Sequence, residues 1–341
     1  MNELPTINLL LQQETPEEQM QSFIPKSFDD YLGQTELKKK LAIYSQAAKM
    51  RGEPLDHLLL FGPPGLGKTT LSQIMAHVMD VGIKICSGPM LERTGDLVAL
   101  LSSLEPRDIF FIDEIHRMPS NVEEVLYSAM EHYRVDVIIG QGVGAKSINL
   151  PISPFTLIGA TTKSGMLSAP LRSRFGIIER LDFYSDEELK AIVLQNAAFL
   201  NLEISEISAH LIAQCSRGTP RTAKKIVRRV RDFAQVTNAN LATDQLVKDA
   251  LAFLKIDSDG LDDRDNLLLF KIIENFNGGP VGLDTLASIL GEDKDTIEEM
   301  YEPFLIRKGY LEKTSRGRQI PHKMLPLLKN KFFGQKTLLN F

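Results

Sequence analysis

The stretch His57-Leu-Leu-Leu-Phe-Gly-Pro-Pro-Gly-Leu-Gly-Lys68-Thr69-Thr70 decides the reading of this chain. Its apolar run predicts a buried strand, and the glycines that follow predict a tight loop feeding a helix. Gly62, Gly65 and Gly67 let the backbone wrap closely, so that successive N–H groups converge on one anion. Lys68 adds a point charge for phosphate oxygens, and the Thr69 hydroxyl can ligate Mg²⁺. The helix that begins at Thr69 and Thr70 turns the positive end of its dipole toward the same anion. A glycine-rich turn matching this pattern by accident would not also carry the strand before it and the helix after it. The stretch predicts a nucleoside triphosphate site.

Working outward, residues 57–183 alternate short apolar runs with amphipathic ones, which predicts an α/β domain with a parallel sheet covered on both faces. Strands are expected at His57–Phe61, Ile83–Ile85, Ile109–Ile112, Phe155–Ala160 and Ile177–Leu181. Between the third and fourth, residues 133–150 read as an inserted β-hairpin with a glycine-rich tip. Its arms offer Val137, Ile139, Ile148 and Leu150, more apolar surface than a connection requires. The strand ending Ile112-Asp113-Glu114 delivers two carboxylates to the carboxyl edge of the sheet, beside the loop after the first strand. Asp113 suits the second shell of Mg²⁺, and Glu114 can orient or deprotonate an attacking water, so hydrolysis is expected rather than passive binding. The next strand ends in Thr161-Thr162, hydroxyls that could hold that water or contact a γ-phosphate. Arg172 and Arg174 follow on a short polar segment. Arg174 suits a finger supplied in trans to a γ-phosphate, provided that subunits form a ring. Gly218-Thr-Pro220-Arg221 opens a later helix, from which Arg221 can reach a nucleotide from the lid side.

A length of 341 residues suffices for two or three domains. Residues 1–20 are acidic and lack Lys or Arg, as a loose leader would be. The ATPase domain is expected over 21–184, a small all-helical lid over 185–256, and a winged-helix domain over 257–341. Short helices at Asn266–Asn275, Leu283–Leu290 and Lys294–Arg307 precede a basic hairpin, Tyr310–Ile320, which forms the wing. The net charge of −5 hides an asymmetry: nine Lys and Arg against two Glu in the last forty residues, a candidate polyanion surface. The acidic residues Asp257 to Asp265 read as a solvated linker, and Lys224, Lys225, Arg228, Arg229 and Arg231 as a solvated helix face. Cys86 and Cys215 fit no metal spacing and read as small buried hydrophobes. The six histidines form no metal set, and His57 and His116 are expected to be structural. No secretory signal and no apolar run of membrane length is present, so no membrane role and a cytoplasmic location are expected.

Gly62–Thr70, Asp113–Arg117, Gly159–Thr162, Arg172–Gly176 and Gly218–Arg221 together resemble the AAA+ ATPases. The longer strings Leu55–Thr70, Phe111–Arg117, Phe155–Thr162, Gly278–Asp284 and Thr314–Arg318 are similar to the RuvB family, the bacterial motors of Holliday-junction branch migration. The similarity runs from about residue 23 to 320. It implies a homohexameric ring around duplex DNA, driven by ATP and Mg²⁺ in recombination and repair. It also implies recruitment by RuvA through the 133–150 hairpin, and action beside a RuvC-type resolvase. By resemblance, Lys68 and Thr69 bind phosphate and Mg²⁺, and Asp113 and Glu114 serve metal and water. Thr161 or Thr162 would be the first sensor, Arg174 the trans finger, and Arg221 with Pro220 the second sensor. Tyr184 would lie at the adenine pocket, with Glu131, His132 and Tyr133 near the subunit boundary. Lys313, Arg316 and Arg318 would face the DNA backbone in a sequence-neutral contact. The chain departs from the pattern at Phe23-Ile24-Pro25, where an Arg usually precedes the Pro, so an adenine contact there must be backbone or apolar. A AAA+ protein remodeller would instead carry an aromatic pore loop, and a clamp-loader-like factor a cysteine zinc module.

Overall fold

Side chains decide where the backbone of this α/β chain runs as sheet. The computed structural model describes residues 23–139, 146–237, 239 and 241–334. Its contacts divide into two units, Ile24–Tyr184 and Ser185–Phe341 with Met1–Phe23. The acidic leader 1–20, the hairpin tip 140–145 and the end of the basic tail lie outside the described residues.

In the Ile24–Tyr184 unit the strands are β1 (Leu58–Phe61), β2 (Ile83–Ser87), β3 (Ile109–Asp113), the hairpin β4 (Arg134–Ile139) and β5 (Lys146–Pro151), β6 (Thr156–Thr161) and β7 (Ile177–Arg180). Five form a parallel sheet of order β2-β3-β6-β1-β7. Leu58, Leu59 and Leu60, Phe110, Phe111 and Ile112, and Leu157 and Ile158 are all fully buried. Strands so apolar on both faces are stable only with a layer on each side. Leu59, Phe110, Ile112 and Leu157 pack on Val122, Leu126 and Ala129 of the helix Ser120–His132. The helix Lys68–Met79, with Leu71, Ile74 and Met75 buried, packs on β3 and β6. Contrary to the expectation from sequence, Asp113 does not stand directly beside the loop after β1, because β6 pairs with both β1 and β3 and separates them.

His57 is structural. It is 9% exposed, its Nδ1 accepts from Leu157 N at 2.9 Å, and its Nε2 faces Met130 O at 3.1 Å. That pairing fixes the neutral tautomer with Nε2 as donor.

In the second unit four helices, Asp186–Phe199, Glu206–Gln214, Pro220–Val236 and Asp244–Phe253, begin after Ser185, Ser205, Thr219 and Thr243. Each of those hydroxyls accepts from a backbone N–H of the first turn, which stops the chain from extending the helix backward. A two-residue parallel pair, Glu203–Ile204 with Leu241–Ala242, joins two of the connections. The basic run on Pro220–Val236 is not a solvated face: Lys225 is 6% exposed and Arg228 1%. This helix packs against the three others, so its buried arc is wide enough to take in whole cationic side chains.

Downstream, Asp263–Phe276 and Leu283–Leu290 are followed by a helix that runs from Lys294–Thr296 through a π turn at Ile297–Tyr301 into Glu302–Arg307. The wing strands Glu312–Thr314 and Gly317–Gln319 pair antiparallel, and Val281 bridges to Arg318. Gly317 sits at φ +134, where a Cβ would come within 2.3 Å of Val281 O. Leu268, Ile272, Leu286, Phe304, Leu305 and Leu311 form the core of this part, with Leu328 of the closing helix Leu325–Phe333. The lid and the winged helix meet at Arg217, 5% exposed, which pairs with Asp262 at 3.1 Å and with Asp265. The acidic stretch is therefore not a solvated linker throughout: Asp262 and Asp265 are buried partners of an arginine. Among the described residues no helix is long and apolar enough to cross a membrane.

Burial holds the His57 imidazole below its ordinary value of 6.5. The unfolded chain then binds the extra proton as pH falls through 6.5, so folded stability drops on the acid side and is complete above it. The slope from this residue is at most about 1.4 kcal/mol per pH unit. Urea melts between pH 7.5 and 5.5 should show a shallower acid loss for His57→Gln than for wild type, and equal slopes would refute the assignment.

Candidate active site

The loop after β1 is held from three sides. Gly62, at φ +144, donates its N–H to Thr161 O at 3.1 Å, and a Cβ there would lie 2.4 Å from Leu181 O. Only glycine passes between β6 and the chain beyond β7. Behind the loop, the buried hydroxyls of Tyr31 and Tyr184 lie 2.8 Å apart, and both reach the Leu66 carbonyl, at 3.1 and 3.2 Å. The structure thus places Tyr184 against the back of the loop. Tyr31 is a residue that the sequence reading missed, because nothing local marks a tyrosine some 35 positions upstream as a support for Leu66. Gly65 and Gly67 adopt positive φ, and Gly67 opens the helix Lys68–Met79. Lys68 is 8% exposed, and its ammonium donates to Gly62 O at 2.8 Å and Pro63 O at 2.9 Å. Thr69 and Thr70 are half-buried in the first turn.

At the end of β3, Asp113 Oδ1 accepts from the N–H of Glu114 at 2.9 Å. Glu114 has φ +47, an uncommon conformation for a residue with a side chain and one concentrated at functional turns. Its carboxylate pairs with Arg117 at 2.9 Å and is partly exposed. β6 lies between the loop and these acids, and its two threonines differ. The Thr161 hydroxyl lies 2.9 Å from His116 Nδ1 and accepts from Lys163 N at 3.0 Å. The Thr162 hydroxyl is buried and has no hydrogen-bond partner. A buried orphan hydroxyl is costly unless a ligand or water completes it.

Arg174 follows the short helix Ala169–Ser173. Its guanidinium lies over the Tyr127 ring, 4.5 Å from the centroid, and pairs with Glu131 at 3.1 Å. The structure therefore gathers Arg174 and Glu131, two residues expected at a subunit boundary. His132 is exposed beside Glu131, whereas the half-buried Tyr133 ring packs edge-on against Phe155. On the hairpin, Ile148 is exposed and Leu150 is half-buried.

In the second unit, Pro220 and Arg221 open the helix that Thr219 caps, and Arg221 is exposed. Phe23 is fastened to the lid through its backbone: its N–H donates to Asn196 Oδ1 at 3.2 Å and its carbonyl accepts from Lys224 Nζ at 2.6 Å. Its ring packs edge-on against Phe199, while Ile24 is 49% exposed.

On the wing the three basic residues separate. Arg318 pairs with Glu302 at 2.6 Å and Glu298 at 2.8 Å, and its side chain is 12% exposed. Lys313 contacts the same two carboxylates at 2.9 and 3.0 Å. Burial opposes the Lys313 charge, but the two glutamates outweigh it and hold the ammonium above its ordinary value. Arg316 stands exposed at the turn. Arg318 thus anchors the wing from beneath, and Arg316 is its outward cation. Glu302, 1% exposed, had no sequence signal as the anchor, since it lies sixteen residues away in another element. Among the described residues no three His, Cys, Asp or Glu converge as a metal cage.

The chain matches three protein families in succession: the Holliday junction DNA helicase RuvB P-loop domain over residues 23–181, the RuvB AAA lid domain over 184–257, and the RuvB C-terminal winged helix domain over 258–335. It is also similar to a solved Thermotoga maritima structure described as the RuvB Holliday junction branch migration motor. Identity is 49%, the TM-score is 0.82, and 90% of this chain and 98% of that one are covered. A mutant of the same Thermotoga protein matches at 48% identity with a TM-score of 0.84, over 90% of this chain and 99% of that one.

Two pairs of substitutions read this geometry through stability. Thr161→Val discards two hydrogen bonds and should cost about 1–3 kcal/mol in urea melts, whereas Thr162→Val discards none and should stay within about 0.5 kcal/mol of wild type. Arg318→Ala leaves Glu302 with Lys313 alone and should cost an amount toward the lower end of about 3–5 kcal/mol. Arg316→Ala should be neutral within about 0.5 kcal/mol. Equal effects within either pair would refute the assignments.

Proposed function

The chain belongs to the RuvB family of P-loop ATPases, and from that premise we propose that it hydrolyses ATP to drive branch migration of Holliday junctions during recombination and repair. One observation carries the reading. A phosphate loop after β1, an unpartnered buried hydroxyl at Thr162 after β6 and the acids Asp113 and Glu114 after β3 line one edge of a sheet, in a chain that also bears a winged helix.

ATP is the substrate. The backbone N–H groups of Gly65 and Gly67 and the Lys68 ammonium would take its phosphates, with Lys68 exchanging its present carbonyl partners for phosphate oxygens. The donor set suits Mg²⁺: the Thr69 hydroxyl and the Asp113 carboxylate are hard oxygens, and Mg²⁺ takes few protein ligands and keeps water and phosphate oxygens around it. Bound there, Mg²⁺ would supply positive charge to offset the charge that develops on the phosphates. Glu114, on its left-handed turn, would orient the attacking water. The Thr162 hydroxyl would complete its hydrogen bonding with that water or with the γ-phosphate, while Thr161 serves as a brace. Phe23, Ile24 and Tyr184 would border the adenine, and Arg221 with Pro220 would act on the nucleotide from the lid.

In a homohexamer, Arg174 would reach the nucleotide of the neighbouring subunit, with Glu131, His132 and Tyr133 on the same boundary. The 133–150 hairpin would dock RuvA, with exposed Ile148 among its apolar contacts, beside a RuvC-type resolvase. Arg316, and Lys313 at the wing edge, would track the DNA backbone through salt-sensitive contacts that carry no sequence information.

Lys68→Ala should abolish ATP binding measured with a fluorescent analogue, and retained tight binding would remove the loop from the site. Arg174→Ala should bind ATP normally, stop turnover, and depress the wild-type rate when mixed in. A monomeric Arg174→Ala preparation that hydrolyses normally would exclude the trans role. Unwinding of a synthetic junction, with RuvA present and absent, tests the motor itself. Absence of duplex binding at low salt with ATPase intact would favour a protein remodeller.

A further inference from the structure

We infer that Tyr127 is a positioning residue for Arg174, holding its guanidinium in one pose from which it can be delivered to a neighbouring subunit. The inference rests on the reading of Arg174 as the trans finger, and concerns how one subunit prepares that finger. Glu123, Tyr127 and Glu131 recur at intervals of four along the helix Ser120–His132, so they share one face, stacked turn on turn. The short helix that carries the finger lies along that face and is fastened at both ends. At its start, Ser168 caps the helix by accepting from Leu171 N at 3.2 Å, and the same hydroxyl contacts Glu123 and the Tyr127 hydroxyl, the latter at 3.0 Å. The Tyr127 hydroxyl also donates to Glu123. At its end, Arg174 stacks over the Tyr127 ring at 4.5 Å, pairs with Glu131 at 3.1 Å, and donates to Pro170 O at 2.8 Å.

An unrestrained arginine gives up considerable rotamer freedom when it is fixed on a ligand. A finger already confined by a ring below it and a bond on each side loses less of that freedom when it reaches phosphate. The pose is not closed. The Nε–H is buried without a hydrogen-bond partner, and Glu131 is half-exposed, so its grip is exchangeable for an anion outside the subunit. Tyr127 touches no reacting atom in this arrangement. It acts through Arg174.

Tyr127 also packs against the core, so its effect on stability must be separated from its effect on the finger. Mixed rings make that separation. Donor subunits carrying Lys68→Ala contribute no turnover of their own and affect the rate only through what they offer a wild-type neighbour. Wild-type protein is titrated with Lys68→Ala donors that also carry Arg174→Ala, Tyr127→Leu or Tyr127→Phe. The readings are kcat per wild-type subunit, KM for ATP, donor incorporation and donor melting temperature. With Tyr127→Leu donors, kcat should fall about 2- to 30-fold, the equivalent of a lost cation–π seat, at unchanged KM. Tyr127→Phe, which keeps the ring, should recover most of that loss at a temperature where both donors are fully folded.

Tyr127→Leu donors that match the Lys68→Ala parent, while Arg174→Ala donors depress the rate, would overturn the inference and leave the trans finger standing. A loss of kcat that tracks donor melting temperature, with no rescue by Phe, would also overturn it in favour of a packing role. Arg174→Ala donors that match the parent would overturn the trans finger, and the inference with it.

Discussion

Everything chemical in this chain depends on the parallel register of three strands. Phe61 pairs with Thr161 and Ile112 with Gly159, so β1, β6 and β3 end at nearly the same height. The glycine loop, the threonines and the two acids then leave the sheet side by side. A slip of one residue would exchange the side chains that face each helical layer, and the close packing of the fully buried leucines and phenylalanines resists it. The position of these groups is thus set by residues buried in the core. Tyr31 and Tyr184 extend the same logic to the loop, fixing Leu66 from behind so that the N–H groups in front need no rearrangement to form a cradle.

Much of this was legible in the sequence because the signals are local. An apolar run before a glycine loop, a run ending in Asp-Glu, and the helical periodicity of the lid report their structure within a few positions. What was not legible depends on partners far along the chain. Thr161 and Thr162 look alike in sequence, and only the placement of His116 shows which hydroxyl is occupied. Charge was the least readable property. Arg318, Arg228 and Asp265 count as surface charges by composition, yet Arg228 and Asp265 are buried and Arg318 is largely covered, because burial of a charge is settled by which elements pack around it. Arg316, two positions from Arg318, is the residue for which the compositional reading holds.

Cationic side chains divide by the geometry that surrounds them. Lys68 rests on backbone carbonyls, partners that an anion can replace at small cost. Arg174 rests on an aromatic face and one exposed carboxylate, an arrangement that confines the group without saturating it. Arg318 is wedged against a carboxylate that water barely reaches, an arrangement that is not exchangeable. The depth of the counter-charge separates a working cation from a structural one.

The pairing of Arg217 with Asp262 and Asp265 has a mechanical consequence. All three side chains are nearly inaccessible to water, so parting them would strand buried charge at a cost of about 3–5 kcal/mol. Thermal agitation opens such a joint in roughly one molecule among hundreds to thousands. Arg217 also directly precedes Gly218, the residue that leads into the helix bearing Arg221. The lid and the winged helix are therefore stapled by buried charge at the point where the chain turns into the helix that bears Arg221.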